Sequence, residues 1–381
     1  MFVKVFQNAK HKLFLLHRKV IENKKGVLAS IFINFLWIAS LVWKLISSVR
    51  WKLCKLKPFR PFIAKATVVS VGNIVAGGSG KTPLVIKLIN EMSSSLDKIG
   101  ILSRGYGASQ RKIPKKISKD IDWKLIGDEP KCILNNFKHI DLYLGKDRKK
   151  SAMRAVSDNK KLLILDDGFQ QKKIHCDIQI IMLNANDLFG RGFFLPRGYL
   201  KDHPKRLKHA DFIVINHCET KQEFDVFKNK VRKFTTCPIV GANFLFKTAE
   251  DINKKNISLK GEKIGIFCSI ANPNHFVKTL KDLDCKIVCS KFFNDHEDIS
   301  SKAIFSLEKE CLAKGIKYLV CTEKDFVKVN FLKTKIPIIV IKIEINICFE
   351  RELWDNLIEK IHFCMNNSRV TPTGIFNEKL V

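Results

Sequence analysis

Thr67-Val-Val-Ser-Val-Gly-Asn-Ile-Val-Ala-Gly-Gly-Ser-Gly-Lys-Thr-Pro83 is the stretch on which the reading of this 381-residue chain turns. Its β-branched apolar start, Thr67 to Val71, predicts a buried strand. Gly77, Gly78 and Gly80 predict a tight turn, and Leu84-Val-Ile-Lys-Leu-Ile89 a helix that opens with Lys81-Thr82. Strand, glycine turn and helix in that order form a phosphate cradle, because consecutive N–H groups face an anion and the helix dipole adds to them. The expected triphosphate-binding residues are Val75, Ala76, Gly77, Gly78, Ser79, Gly80, Lys81 and Thr82. Lys81 would reach the β- and γ-phosphates, and the Thr82 hydroxyl would ligate Mg²⁺. Position 75 is Val where the strict P-loop pattern has Gly, so the flanking strand and helix carry the assignment.

Leu162-Leu-Ile-Leu-Asp166-Asp167-Gly168-Phe169-Gln170 is an apolar strand ending in two carboxylates, about eighty residues on. Such a strand end lies beside a phosphate cradle, where Asp166 or Asp167 can hold Mg²⁺. Gly127-Asp128-Glu129-Pro130 and Asp295-His296-Glu297-Asp298 are shorter acid clusters that by themselves read as solvated loops. Thr322-Glu-Lys-Asp325 approaches a guanine-reading motif, but its lysine stands one place late and the acidic strand end lacks D-x-x-G, which disfavours a GTPase.

Around these motifs, short apolar runs alternate with helical ones. Strands are predicted at Thr67–Val71, Ile99–Leu102, Leu142–Leu144, Leu162–Leu165, Ile178–Leu183 and Phe212–Ile215. A second series runs through Ile264–Phe267, Lys286–Cys289, Tyr318–Cys321 and Ile338–Ile341, with helices at Lys302–Lys314 and Glu350–Phe363. The alternation predicts an α/β fold of parallel sheets flanked by helices. A polar shift at residues 251–258 divides it into two units, 61–250 and 251–368, followed by a loose tail, 369–381.

Residues 1–60 differ from the rest. A basic segment precedes Gly26 to Trp43, a run without a charged residue that sits at the lower length limit for a spanning helix. It predicts a membrane-dipping or single-pass anchor with the body on the cytoplasmic side; a buried core helix is the alternative. The net charge of +31 fits attraction to an anionic membrane surface as well as codon bias, since 55 of the 68 basic residues are Lys. The scarcity of Arg argues against nucleic acid as the partner. Twelve cysteines without a C-x-x-C pair suit small buried apolar residues in a reducing compartment.

Taken in order, these stretches resemble the tetraacyldisaccharide 4'-kinase family, the lipid A 4'-kinases. The resemblance rests on Val71 to Pro83, Ser103-Arg-Gly-Tyr-Gly107, Gly127 to Pro130, Asp166 to Gln170 and Phe189-Gly-Arg-Gly-Phe-Phe-Leu-Pro-Arg-Gly-Tyr-Leu200. Ala271-Asn-Pro273, Asp295-His296 and Thr322 to Asp325 complete it, and the family, like this chain with Val75, lacks the P-loop glycine at that place. It implies a P-loop NTPase-like N-terminal domain, a second α/β domain joined by a hinge, and an N-terminal helix at the bacterial inner membrane. It implies transfer of the ATP γ-phosphoryl, with Mg²⁺, to the 4'-hydroxyl of a tetraacylated glucosamine disaccharide 1-phosphate. It further implies a catalytic Asp–His pair, Asp128 and His296, with Glu129 near the metal. The family usually has Asp-His-His where this chain has Asp295-His296-Glu297, and Leu-Pro-x-Gly-Pro-Leu-Arg-Glu where it has Leu195 to Asp202. An unrelated P-loop ATPase or small-molecule kinase, and a non-catalytic basic membrane-surface protein, are the competing classes.

Overall fold

The structure, a computed structural model, describes residues 27–54, 56, 61–105, 115–118, 121–137, 139–295 and 297–367. The basic segment before Val27, the expected tail and His296 lie outside the described residues. The strands are β1 (Thr67–Gly72), β2 (Ile99–Ser103), β3 (Lys115–Ile117), β4 (Asp141–Leu144), β5 (Leu162–Asp166) and β6 (Ile178–Asn184). They continue as β7 (Phe212–Asn216), β8 (Ile239–Glu250), β9 (Lys263–Cys268), β10 (Lys286–Phe292), β11 (Tyr318–Thr322) and β12 (Ile338–Phe349). The helices are α1 (Val27–Leu53), α2 (Lys81–Glu91), α3 (Trp123–Ile126), α4 (Asp128–Asn136) and α5 (Arg148–Ser157). Then follow α6 (Lys221–Arg232), α7 (Pro273–Asp282), α8 (Ser301–Ala313), α9 (Glu323–Val329) and α10 (Arg351–Asn366).

All the predicted strands form, most of them a residue or two longer than the apolar run. The exceptions are instructive. β3 presents two exposed lysines at the sheet edge, and in β8 Asn243 and Lys247 interrupt the apolar residues while its outer part is mostly half-buried or exposed, so neither shows a continuous apolar run. β12 extends beyond Ile341 to Phe349 because its second half pairs with β8. The strands form one sheet in the order β10-β9-β11-β12-β8-β7-β6-β1-β5-β2-β4-β3. Pairing is parallel except for β8 with β12 and β3 with β4. The polar shift at 251–258 falls in the turn after β8, but the ladder runs unbroken through β8 and β12.

That antiparallel ribbon sets the geometry. Residues 239–242 of β8 pair with β7, and residues 338–341 of β12 pair with β11. Glu250 lies opposite Val340 and Gly241 opposite Phe349, so the two parallel sets hang at opposite ends of the ribbon and run in opposite directions. Their carboxyl edges therefore face each other, and in open α/β sheets that edge is where ligands bind. Helix α10 returns to the first set: Trp354, Leu357, Ile361 and Met365 share a core with Val69, Ile180 and Phe212.

β5 ends in a turn that crosses β1 closely. Gly168 N–H donates to the Val71 carbonyl at 3.2 Å. A Cβ on Gly168 would run into Ser70 Oγ and stand 2.7 Å from Leu165 Cδ2, so only glycine fits without repacking. Gly168→Ala should cost about 1–3 kcal/mol, the range for overpacking a filled site. The urea midpoint measures it, and a midpoint equal to that of the parent would refute this account of the turn.

Candidate active site

The strand, glycine turn and helix form as the sequence predicts: β1 leads into residues 73–80, and α2 starts at Lys81. Gly80, just before the helix, has φ 90°, a left-handed conformation that glycine adopts at little cost. Asn73 Nδ2 donates to Ser79 Oγ at 3.0 Å, and Gln170 Nε2 donates to the Asn73 carbonyl at 2.7 Å. These bonds lock the base of the loop to the turn after β5. Val75 and Ala76 serve as backbone: Val75 bridges Leu200, and Ala76 N–H donates to the Tyr199 carbonyl at 2.7 Å. Gly77 and Gly78 are exposed, Lys81 and Thr82 are half-buried at the helix start, and a Cβ on Gly78 would lie 3.3 Å from Ala271 of the second strand set. The first N–H groups of α2 have no partner within the helix, which leaves them for an anion.

Asp166 and Asp167 are adjacent but electrically unlike. Asp166 is buried, and its Oδ1 has no hydrogen-bond partner among the described residues. Burial, with the Glu129 and Asp167 charges adding to it, pushes its carboxyl up to about 7, against the pull of Lys81 and Arg148. Asp167 is half-exposed, 3.7 Å from Lys81 and 3.1 Å from Lys201. Burial would raise it, but those two ammonium groups outweigh burial and hold it at about 2. Arg148, whose Nη1 donates to the Gly145 carbonyl at 2.7 Å, lies beneath Asp166. Burial brings its guanidinium down to about 10. The orphaned Asp166 oxygen, with Thr82, Asp167 and Glu129 nearby in charge or sequence, fits a hard divalent cation that takes oxygen ligands. Among the described residues no cluster of three or more His, Cys, Asp or Glu forms a metal cage by itself, so a cation here would take its remaining ligands from solvent or phosphate.

Asp128 opens α4, on the first strand set, and is buried. Its partners come from the other set. Lys328 on α9, fully buried, stands 3.4 Å from Asp128 Oδ2, and Lys324, one turn earlier, 3.9 Å from it. Lys324 also pairs with Asp295 at 2.9 Å, and Lys328 donates to the Glu297 carbonyl at 3.0 Å. The two neighbours of His296 in sequence are thus tied to the lysines that face Asp128. Thr322 caps α9 by accepting from Asp325 N–H at 3.3 Å, and its hydroxyl donates to Asp325 Oδ2 at 2.6 Å. Ser269 N–H donates to Asp325 Oδ1 at 2.9 Å, and Lys328 to Ser269 Oγ at 2.8 Å. Glu129, next to Asp128, acts on the charges of both Lys81 and Asp166, which links this pocket to the phosphate loop.

The structure brings together Lys81, Asp166, Asp167, Asp128 and Glu129 from the expected set. It adds Lys201, Arg148, Lys324 and Lys328, which the sequence reading did not assign to the site. The i, i+4 spacing of Lys324 and Lys328 behind a capping Thr was the available signal, since it places both on one helix face. Arg148 carried none: in sequence it is one basic residue in a run of them.

The raised Asp166 carboxyl has a consequence for stability. In the unfolded chain an aspartate titrates near 4, so between pH ~4 and ~7 the folded protein binds more protons than the unfolded one. Asp166 should therefore make the metal-free protein less stable as pH rises through that window. Asp167, held at about 2, acts only below it. Denaturant titrations across pH 4.5 to 7.5 should show a flatter pH dependence for Asp166→Asn than for the parent. Superimposable slopes would refute the assignment.

The profile described as Tetraacyldisaccharide-1-P 4'-kinase matches residues 32–362. A tetraacyldisaccharide 4'-kinase of Chlamydia caviae is 35% identical over 77% of this chain and 80% of its own length. The Chlamydia pneumoniae enzyme of that name is 31% identical over 92% and 96%. The crystal structure of LpxK from Aquifex aeolicus in complex with ATP superposes with a TM-score of 0.69 at 26% identity, covering 88% of this chain and 99% of that one. A match over most of the length, to relatives whose own length is nearly covered, leaves one conclusion: this chain belongs to the tetraacyldisaccharide-1-P 4'-kinase family.

Proposed function

We propose that this protein transfers the γ-phosphoryl group of ATP to the 4'-hydroxyl of a tetraacylated glucosamine disaccharide 1-phosphate. The observation that carries the reading is the meeting of Lys81 with Asp166 and Asp167 at the end of β1 and β5, in a chain of this family. The acceptor oxygen attacks the γ-phosphorus, the bond to the β-bridging oxygen breaks, and ADP leaves with that electron pair. Residues 77–82 offer amides to the triphosphate, and Lys81 offsets charge on the β- and γ-oxygens. Asp166, with Thr82, Asp167 and Glu129 near it, would hold Mg²⁺, which when bound would supply further charge neutralisation. Asp128 accepts the acceptor hydroxyl's proton, with His296 as its partner. Lys328 and Lys324 offset the Asp128 charge and tie it to the second strand set. Because α4 and α9 belong to different sets, movement of unit 61–250, with α10 packed on it, against the rest of unit 251–368 about the β8–β12 ribbon would assemble or open this pocket.

The acceptor is a membrane lipid in this reading. Among the described residues one helix, Phe32–Leu53, is long and apolar enough to cross a bilayer. Phe35, Ile38, Leu45 and Ile46 are more than half exposed on it. We assign that face to the lipid phase of the inner membrane, with the catalytic body on the cytoplasmic side and the +31 charge aiding contact with anionic headgroups.

The direct test is ATP, Mg²⁺ and a tetraacyldisaccharide 1-phosphate in mixed micelles, scored for a 4'-phosphate product; its absence would refute the reading. Lys81→Ala should lower turnover on the order of a thousandfold or more while leaving thermal unfolding unchanged. Near-parental turnover would remove the phosphate loop from the mechanism. Asp128→Asn and His296→Ala should each lower kcat heavily, with the double variant scarcely worse than the poorer single, as expected for residues acting as one unit. Additive losses of a few-fold each would remove the pair from the phosphoryl-transfer step.

A further inference from the structure

Two consecutive residues, Lys201 and Asp202, stand between the apolar helix and the phosphate site. Asp202 has no solvent exposure. Its partners come from α1: Ser47 Oγ donates to Oδ1 at 2.5 Å, Trp51 Nε1 donates to Oδ1 at 3.0 Å, and Arg50 lies 3.7 Å from Oδ2. Trp43 Nε1, two turns earlier on the same helix, donates to the Lys201 carbonyl at 3.2 Å. On the other side, the N–H groups of Lys201 and Asp202 both donate to the Ile74 carbonyl, at 2.8 and 3.3 Å. Val75 and Ala76 pair with Leu200 and Tyr199 in the same strip. The Lys201 ammonium reaches Asp167, which also faces Lys81. A line of short contacts therefore runs from α1 through one dipeptide to the loop backbone and to the carboxylate beside it.

A buried carboxylate is strongly unfavourable unless it is paired and hydrogen-bonded. The side-chain hydrogen-bond donors to Asp202, Ser47 and Trp51, are both on α1, as is Arg50, so a shift of that helix would take its hydrogen bonds from a buried carboxylate. The strip then has a seated arrangement with α1 in place and a disfavoured one without it. We propose that Asp202 is a positioning residue: its contacts with Ser47, Arg50 and Trp51 hold Lys201 against Asp167 and fix the 74–76 backbone for nucleotide. The inference rests on the kinase reading above and adds that engagement of α1 tunes nucleotide affinity. Coupling of this kind is reciprocal, so nucleotide would in turn strengthen the seating of α1.

The test needs no lipid acceptor. The Kd of a non-hydrolysable ATP analogue with Mg²⁺ is measured on the full chain in detergent micelles for the parent, Asp202→Ala, Asp202→Asn, Lys201→Met and the Asp202→Ala/Lys201→Met pair. Asp202→Ala and Lys201→Met should each weaken binding roughly tenfold, within the usual span of coupling energies. The double variant should be no weaker than the poorer single, because both act through one contact. Asp202→Asn keeps the acceptor for Ser47 and Trp51 and should recover much of the loss. Parental affinity in Asp202→Ala, or additive losses in the pair, would overturn the proposal. Should Asp202→Ala fail to fold, Ser47→Ala and Trp51→Phe remove the donors singly. Each should then weaken binding two- to fivefold, and parental values in both would be equally fatal. A parent that binds no nucleotide would instead refute the kinase reading itself.

Discussion

Val340 pairs with Glu250 at one end of the β8–β12 ribbon and Phe349 with Gly241 at the other, and the site follows from that pairing. An all-parallel sheet would put every carboxyl edge on one side, with the second set of strands beside the first. The antiparallel joint turns the second set around so that its carboxyl edge looks back at the phosphate loop. Thr322 and Ser269, which follow or end β11 and β9, can then organise α9 opposite α4. Asp128 consequently gains lysine partners that lie some two hundred residues away in the chain. Neither half contains the pocket alone.

Within the site, adjacency in sequence does not mean equality in charge. Asp166 and Asp167 share a turn, yet the first sits near 7 and the second near 2. The difference is environmental: Asp166 faces the interior with an unpaired oxygen, whereas Asp167 faces two ammonium groups. Pairs of carboxylates driven apart in this way are suited to separate tasks. Here the inner one is suited to a cation and the outer one to holding Lys81 and Lys201 in register. The glycine between Asp167 and Phe169 makes this arrangement sterically possible, since a side chain there would push β5 off β1.

The N-terminal helix poses the same problem on a larger scale. Its outward face is apolar and largely uncovered, but its last turns carry Ser47, Arg50 and Trp51 to a single buried carboxylate. Lys172 stands 3.5 Å over the Trp51 ring and Arg206 4.7 Å from it, so the root of the helix is clamped by cation–π contacts as well. A helix whose purpose was only to cover a core would bury its apolar residues. This one fastens itself by polar atoms at one end and leaves much of its apolar surface exposed.

The sequence by itself determined the local devices. Thr67 to Pro83 dictates strand, glycine turn and helix because backbone freedom and apolar periodicity are local properties, and Asp166-Asp167-Gly168 marks its strand end for the same reason. The run from Gly26 to Trp43 announces an unusual helix through composition alone. What the sequence left undecided are relations between distant residues. β8 was invisible because a ribbon exposed on its outer half has no continuous apolar run. Lys324 and Lys328 looked like two of many lysines until α9 was set against α4. Lys201 and Asp202 read only as departures from a pattern until one was seen to face Asp167 and the other Ser47 and Trp51. Which buried charge meets which is fixed by the strand pairing that brings their elements together, and that pairing is a property of the whole chain rather than of any window within it.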